Sequence, residues 1–149
     1  MPSPTLAPTK TVTAPAPSPA TPTAAASTAH RSDAPADVAC RNLAVPADVK
    51  WAVTQTWANA KRIYHIQPKP GEFYYGSCGT TLYAAARFEA AAGATDSDLV
   101  QLQDEGSVLQ FFRFTPSTGW AFTGSDSFPP TSDCSQAVPA ALSHQWHCS

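Results

Sequence analysis

Ser107 to Phe114, SVLQFFRF, is the stretch on which the fold turns. Its valine, leucine and three phenylalanines read as a strand. Side chains alternate across a strand, which puts Val108, Phe112 and Phe114 on one side and Leu109 and Phe111 on the other. Neither side is polar, so the strand needs cover on both. The expectation is that two helices lie on opposite faces of one sheet. The alternative is that one face is left open as a partner surface.

The neighbouring segments supply the rest of the sheet. DLVQLQ, DEG and SVLQFFRF together, residues 98–114, read as a hairpin with a glycine-ended turn. Downstream, TPSTG is a second turn and WAFTG a further strand. FPPTSDC reads as irregular, and VPAALSHQW as a short closing helix with Pro139 near its start and Leu142 and Trp146 at i, i+4. Upstream, FYYGSC is a strand that turns near Gly79. TTLYAAARFEAAAG is open to two readings: alanines and a possible Gly93 cap favour helix, while the alternation of Leu82, Ala84, Ala86 and Phe88 against Tyr83, Ala85, Arg87 and Glu89 favours strand.

Residues 46–62, PADVKWAVTQTWANAKR, predict the first helix. Pro46 suits its first position, Asp48 its first turn, and Lys61 and Arg62 its last. Val49, Val53, Trp57 and Ala60 would form its apolar face. IYHIQPKPG then breaks the pattern. The predicted class is α+β: an N-terminal helix, an antiparallel meander of four or five strands, a short C-terminal helix and two disulfides.

Composition divides the chain at about residue 38. Residues 1–38 are rich in Pro, Thr and Ala and contain Leu6 as their one aliphatic residue larger than valine. Such a segment cannot bury enough apolar surface to offset its ordering entropy, and reads as a disordered, semi-stiff linker. Residues 39–149 hold every Trp, Tyr, Phe and Cys of the chain and form the folded domain. Nine basic and eleven acidic residues leave a net charge of −2, which provides no basic footprint for nucleic acid. No apolar run approaches the roughly 20 residues of a membrane span.

Cys40, Cys78, Cys134 and Cys148 are an even set with no CxxC pair, which points to disulfides rather than a zinc ribbon or thioredoxin motif. Three connectivities are possible. Cys40–Cys78 with Cys134–Cys148 is favoured, because the second pair encloses a segment able to fold as one helical unit. In the chain-entropy model such loops contribute about 4 and about 3 kcal/mol. Disulfides persist in oxidising compartments, so the expected location is extracellular or in the cell envelope. The chain starts in the linker at Met1 with no visible signal peptide, and the export reading therefore expects a signal or anchor upstream of Met1.

FYYGSCGTTLYAAARF, the QDEGS turn, the aromatic and WAF strands, and the C-x4-VPxxL-x3-W-x-C ending together resemble a family of small secreted or lipid-anchored actinobacterial proteins. The matching positions are Tyr74, Tyr75, Gln103 to Gly106, Trp120, Cys134, Val138, Pro139, Leu142, Trp146 and Cys148. The resemblance implies a strand for TTLYAAARF, a Cys134–Cys148 pair and an exported location. It implies no activity.

No residue set gives a defensible catalytic constellation, and no cofactor is implied. His144, His147 and Cys148 have zinc-like spacing but lack a fourth ligand if Cys148 were free. Cys78 in GSCG, with His65 upstream, would need a free thiol to act as a nucleophile. Asp96, Asp98, Asp104 and Glu105 fit turns and solvated strand ends better than a calcium loop. The candidate binding surface is Phe73, Tyr75 and Trp120, with Tyr83, Arg87 and Glu89 as a second patch. The leading functional reading is a non-enzymatic binding module on a stalk, with a protein or glycan partner in the envelope. A small hydrolase or thiol enzyme, and a secreted inhibitor or effector, are the alternatives.

Overall fold

The computed structural model describes residues 39–148. The linker expected over residues 1–38 lies outside them. Eight elements follow in order: β1 (Cys40–Asn42), α1 (Ala47–Lys61), β2 (Ile66–Cys78), β3 (Thr81–Ala90), α2 (Asp96–Glu105), β4 (Gln110–Thr115), β5 (Gly119–Ser125) and α3 (Ala140–Gln145). The strands form one antiparallel sheet in the order β1-β2-β3-β4-β5. The fold is thus α+β with a five-strand meander, and both favoured disulfides, Cys40–Cys78 and Cys134–Cys148, are formed.

Strand β4 is covered on both sides, as its sequence requires. Phe112 joins a core of Val53, Trp57 and Ala58 from α1, Ile63, Ile66, Ala84, Ala86, Phe88 and Leu102. Trp57 stacks on Phe88 with ring centroids 4.5 Å apart, and Phe112 meets Phe88 edge-on. Phe111, next in sequence, points the other way, into a second core with Ala85, Leu109, Val138, Leu142, Trp146 and the disulfide cysteines. The first face is closed by α1 and α2, the second by α3 and the Cys134–Cys148 segment.

One buried polar side chain ties these layers together. Gln110 is fully buried, and its Oε1 accepts from Trp57 Nε1 at 2.9 Å and from Ser125 Oγ at 2.6 Å. Its amide donates to the carbonyls of Glu105 at 2.6 Å and Val108 at 3.2 Å. It therefore joins α1, the end of α2, β4 and β5, and both of its polar atoms are satisfied.

Four expectations are corrected. Residues 98–103 are helical, so the 98–114 hairpin does not form. Thr95 caps α2: its hydroxyl accepts from the Asp98 backbone while the Asp98 carboxylate accepts from the Thr95 backbone. The reciprocal cap favours helix where the short apolar alternation suggested strand. The fifth strand is instead β1, held to β2 by the Cys40–Cys78 bridge. Residues 66–70, expected to be a break, begin β2. Pro68 and Pro70 are tolerated there because β1 reaches only Gly76 to Cys78, which leaves the start of β2 at an edge. In α1, Pro46 is the cap rather than the first helical residue, and Ala58 replaces Ala60 on the buried face. TTLYAAARF is the strand that its resemblance implied.

Helix α3 sits close to the sheet through Gly76. A Cβ at Gly76 would lie 2.6 Å from Leu142 Cδ2 and 2.8 Å from the Arg41 carbonyl. Asn42 completes the contact: its N–H donates to Gln145 Oε1, and its side-chain oxygen accepts from Trp146 Nε1 at 3.0 Å.

Gln110→Leu should lower stability by about 2–4 kcal/mol, since it strands the Trp57 indole N–H and two carbonyls in the interior. Equilibrium urea unfolding measures this, and a loss below about 0.5 kcal/mol would contradict the network. Gly76→Ala should cost about 1–3 kcal/mol by overpacking against Leu142 and the Arg41 carbonyl, with Leu142→Ala partly relieving the clash in the double variant.

Candidate binding groove

The second face of the sheet carries a groove of about 670 Å³. Its floor is Phe111 of β4, its walls are Tyr83, Arg113 and the end of β5, and its roof is residues 136–139 of the disulfide-closed segment. The loop from Asp126 to Asp133 closes one end.

Asp126 builds that loop. Its Oδ1 accepts from Ser127 N at 2.7 Å and Thr131 Oγ1 at 2.5 Å, and its Oδ2 from Thr131 N at 3.0 Å and Ser132 N at 2.8 Å. Its own N–H donates to the Leu109 carbonyl, which anchors the loop to the approach to β4. Burial works against its charge, but the hydrogen bonds from Thr131, Ser132 and Ser127 outweigh it and hold its pKa below the ordinary carboxylate range. The loop carries Phe128, 70% exposed, near its apex. Asp133 is likewise engaged: the Ser135 backbone N–H, then the Ser135 side chain, lowers its pKa.

The roof is fixed by its ends. Cys134 N–H donates to the Cys148 carbonyl beside the disulfide, and the N–H groups of Ala137 and Val138 turn back to the Cys134 carbonyl. Val138 is buried against the second core.

Arg113 differs from the acids of the groove. It is exposed, and among the described residues its guanidinium has neither an ion pair nor a hydrogen bond. Its five N–H donors therefore have no protein acceptor among the described residues.

The six residues of the expected binding surface fall on two sides of the sheet. Phe73, Tyr75 and Trp120 lie on the α1 face, with Tyr75 buried and its ring centroid 6.2 Å from that of Trp120. Burial, and then the negative charge of Asp48, raises the Tyr75 hydroxyl pKa. Tyr83, Arg87 and Glu89 lie on the opposite face. Tyr83 lines the groove. Arg87 is held by Glu72 Oε2 at 2.8 Å and Ser132 Oγ at 3.3 Å, with its Nε enclosed and unpaired. Glu89 accepts from Gln67 Nε2. The structure thus brings Tyr83 alone of the six into the groove.

Phe111 belongs to the apolar strand face for which the sequence allows a partner surface, whereas Arg113 and Asp126 are not among the residues that the sequence marks as a site. Arg113 had a signal: it is the one charged residue in SVLQFFRF. Asp126 was less visible, because its role depends on a loop that returns five and six residues later.

The chemistry weighed from sequence also finds its place. Cys78 and Cys148 are both disulfide-bonded, so neither offers a thiolate to substrate or zinc. Asp96 and Asp98 lie in the first turn of α2, and Asp104 and Glu105 near its end, rather than in turns. His65 Nδ1 sits 3.0 Å from Asp98 Oδ2. The Thr95 backbone N–H, the Thr95 hydroxyl and His65 all lower the Asp98 pKa, so this pair serves the helix cap.

No family model, no curated protein and no solved structure matches the chain.

Asp126, Asp133, Asp98 and Glu72 all titrate below their ordinary values; for Glu72 the Lys69 hydrogen bond is the main cause, opposed by burial and aided by Arg87. The folded state therefore binds fewer protons than the unfolded chain in acid, and stability rises with pH there. Their contribution should be complete above about pH 5 and lost as pH falls through the lower folded values. Thermal melts from neutral pH down to about pH 3 check this. Asp126→Asn, which cannot accept all four bonds, should lower the neutral-pH midpoint and flatten the acid slope.

Proposed function

We propose that this domain is a non-enzymatic, extracytoplasmic binding module whose groove takes an anionic group of a protein or glycan partner. Arg113 carries the reading. Among the described residues it is the one cation that lines the groove and it lacks a partner, while the two acids there, Asp126 and Asp133, are ionised but spend their oxygens on N–H and O–H groups of their own loop. A guanidinium so placed suits a carboxylate or phosphate held by paired N–H donors. Phe111, Val138 and Pro139 supply an apolar bed for the rest of the ligand.

The cysteines support the compartment. Two disulfides in one small domain belong to an oxidising environment, and either the cell surface or the envelope provides one. Among the described residues no helix is long and apolar enough to cross a membrane. The Pro/Thr/Ala-rich residues 1–38 would then act as a spacer between the domain and its point of attachment.

Arrays of acidic, neutral and basic glycans and peptides, probed with the full chain, test the proposal. Binding should concentrate on anionic ligands and disappear in Arg113→Glu, with the unfolding midpoint unchanged. Binding that survives the charge reversal would remove Arg113 from the site. Turnover of chromogenic ester or peptide substrates, abolished by His65→Ala, would replace the binding reading with an enzymatic one.

A further inference from the structure

Strand β5 is the open edge of the sheet. It pairs with β4 on one side and, among the described residues, with no strand on the other. An unpaired edge presents a row of N–H and C=O groups that another chain can complete, and folded proteins blunt such edges with charge, proline or short strands. The opposite edge is blunted in these ways. Strand β1 is three residues long and bridged to β2 by a disulfide, and the part of β2 beyond it carries Pro68, Lys69 and Pro70. Strand β5, GWAFTGS, has seven residues, no proline and no charge. Its one irregularity is a bulge at Thr123, beside the groove, which interrupts the edge there and leaves Gly119 to Phe122 as its regular part.

The groove meets this edge. Thr123, Gly124 and Ser125 belong to both, and Arg113 is paired in register with Ala121 of β5. A strand added to β5 would alternate its side chains between the two faces of the sheet, and a groove-face side chain opposite Ala121 would lie two strand spacings, about 10 Å, from the Arg113 backbone, a gap that an extended arginine and an Asp or Glu can span over the small Ala121 side chain.

We propose that β5 accepts an extended segment of another protein as a sixth strand, with an Asp or Glu side chain of that segment on Arg113. This rests on the groove being the binding site and adds the form of the ligand: backbone pairing supplies affinity, and the unpartnered cation selects acidic sequence. Charge complementarity favours an acidic segment over a second copy of this chain, whose β5 carries no acid to offer.

A phage-displayed library of random nonapeptides, panned on the immobilised, oxidised full chain, tests it. Enriched peptides should be β-prone and share an Asp or Glu at one position. Panning on Arg113→Glu should move that position to Lys or Arg. Against the strongest synthetic peptide, Arg113→Glu should weaken binding about tenfold. N-methylation of alternate peptide nitrogens should weaken it at least as much, while methylation of the intervening ones should leave it unchanged, because alternate N–H groups of an edge strand point away from its neighbour.

Loss on charge reversal with indifference to N-methylation would overturn the sixth strand and leave the groove reading standing. Alternate N-methyl sensitivity with no effect of Arg113→Glu would support strand addition, overturn the acidic preference and remove the groove from the site. No enrichment, or a dimer in sedimentation that Ala121→Lys dissociates, would overturn the proposal; the dimer would assign the edge to a second copy.

Discussion

Phe111 and Phe112 are consecutive, lie on opposite faces of one sheet, and are both buried. A strand that is apolar on both faces cannot belong to a two-layer domain with one side wet. The chain must provide three layers from about 110 residues, and the rest of the structure follows from that demand. Helix α1 is long enough to cover one face from β2 to β5. Among the described residues no helix of comparable length covers the other. The six residues of α3, the loop from Asp126 and the turn after Cys134 cover it together.

Cover assembled from such short pieces has little cooperativity of its own, since an isolated helix of this length is unstable in water. The two disulfides act where that weakness lies. Cys134–Cys148 closes the covering segment on itself, and Cys40–Cys78 fixes the strand against which α3 packs. Loops of 14 and 38 residues restrict the unfolded chain in the manner that stabilises small exported domains. The same arrangement makes a groove. Because the second face is roofed by a loop and a turn rather than by a full helix, the sheet is left partly open at Arg113 and Tyr83.

Much of this fold was legible in local patterns. The helix at 47–61, the strands at 73–78, 110–115 and 119–125, the closing helix and the cysteine pairing all have signals in residue type and spacing. The failures share a cause. Residues 96–105 have too few apolar positions for their period to be read, and the Thr95–Asp98 cap that decides them spans four residues of ordinary turn composition. Pro68 and Pro70 look like a break until it is known that they lie at an edge. Phe73, Tyr75 and Trp120, the aromatics that suggest a binding surface, pack on the α1 face, Tyr75 buried and the other two half-buried. The groove is marked by the opposite kind of signal, a charged residue in an apolar strand, and by a loop whose geometry one aspartate sets through bonds to residues five and six places ahead.

The division of neighbouring phenylalanines between two interiors underlies the fold and the groove alike. Nuclear Overhauser contacts from the Phe111 and Phe112 rings, measured on the oxidised full chain, test it most directly. Phe112 should show contacts to Phe88 and Phe122, and Phe111 to Val138 of the Cys134–Cys148 segment, with neither ring sharing the partners of the other. A Phe111 ring that sees solvent alone, or that shares the α1 core with Phe112, would contradict the three-layer arrangement and with it the groove.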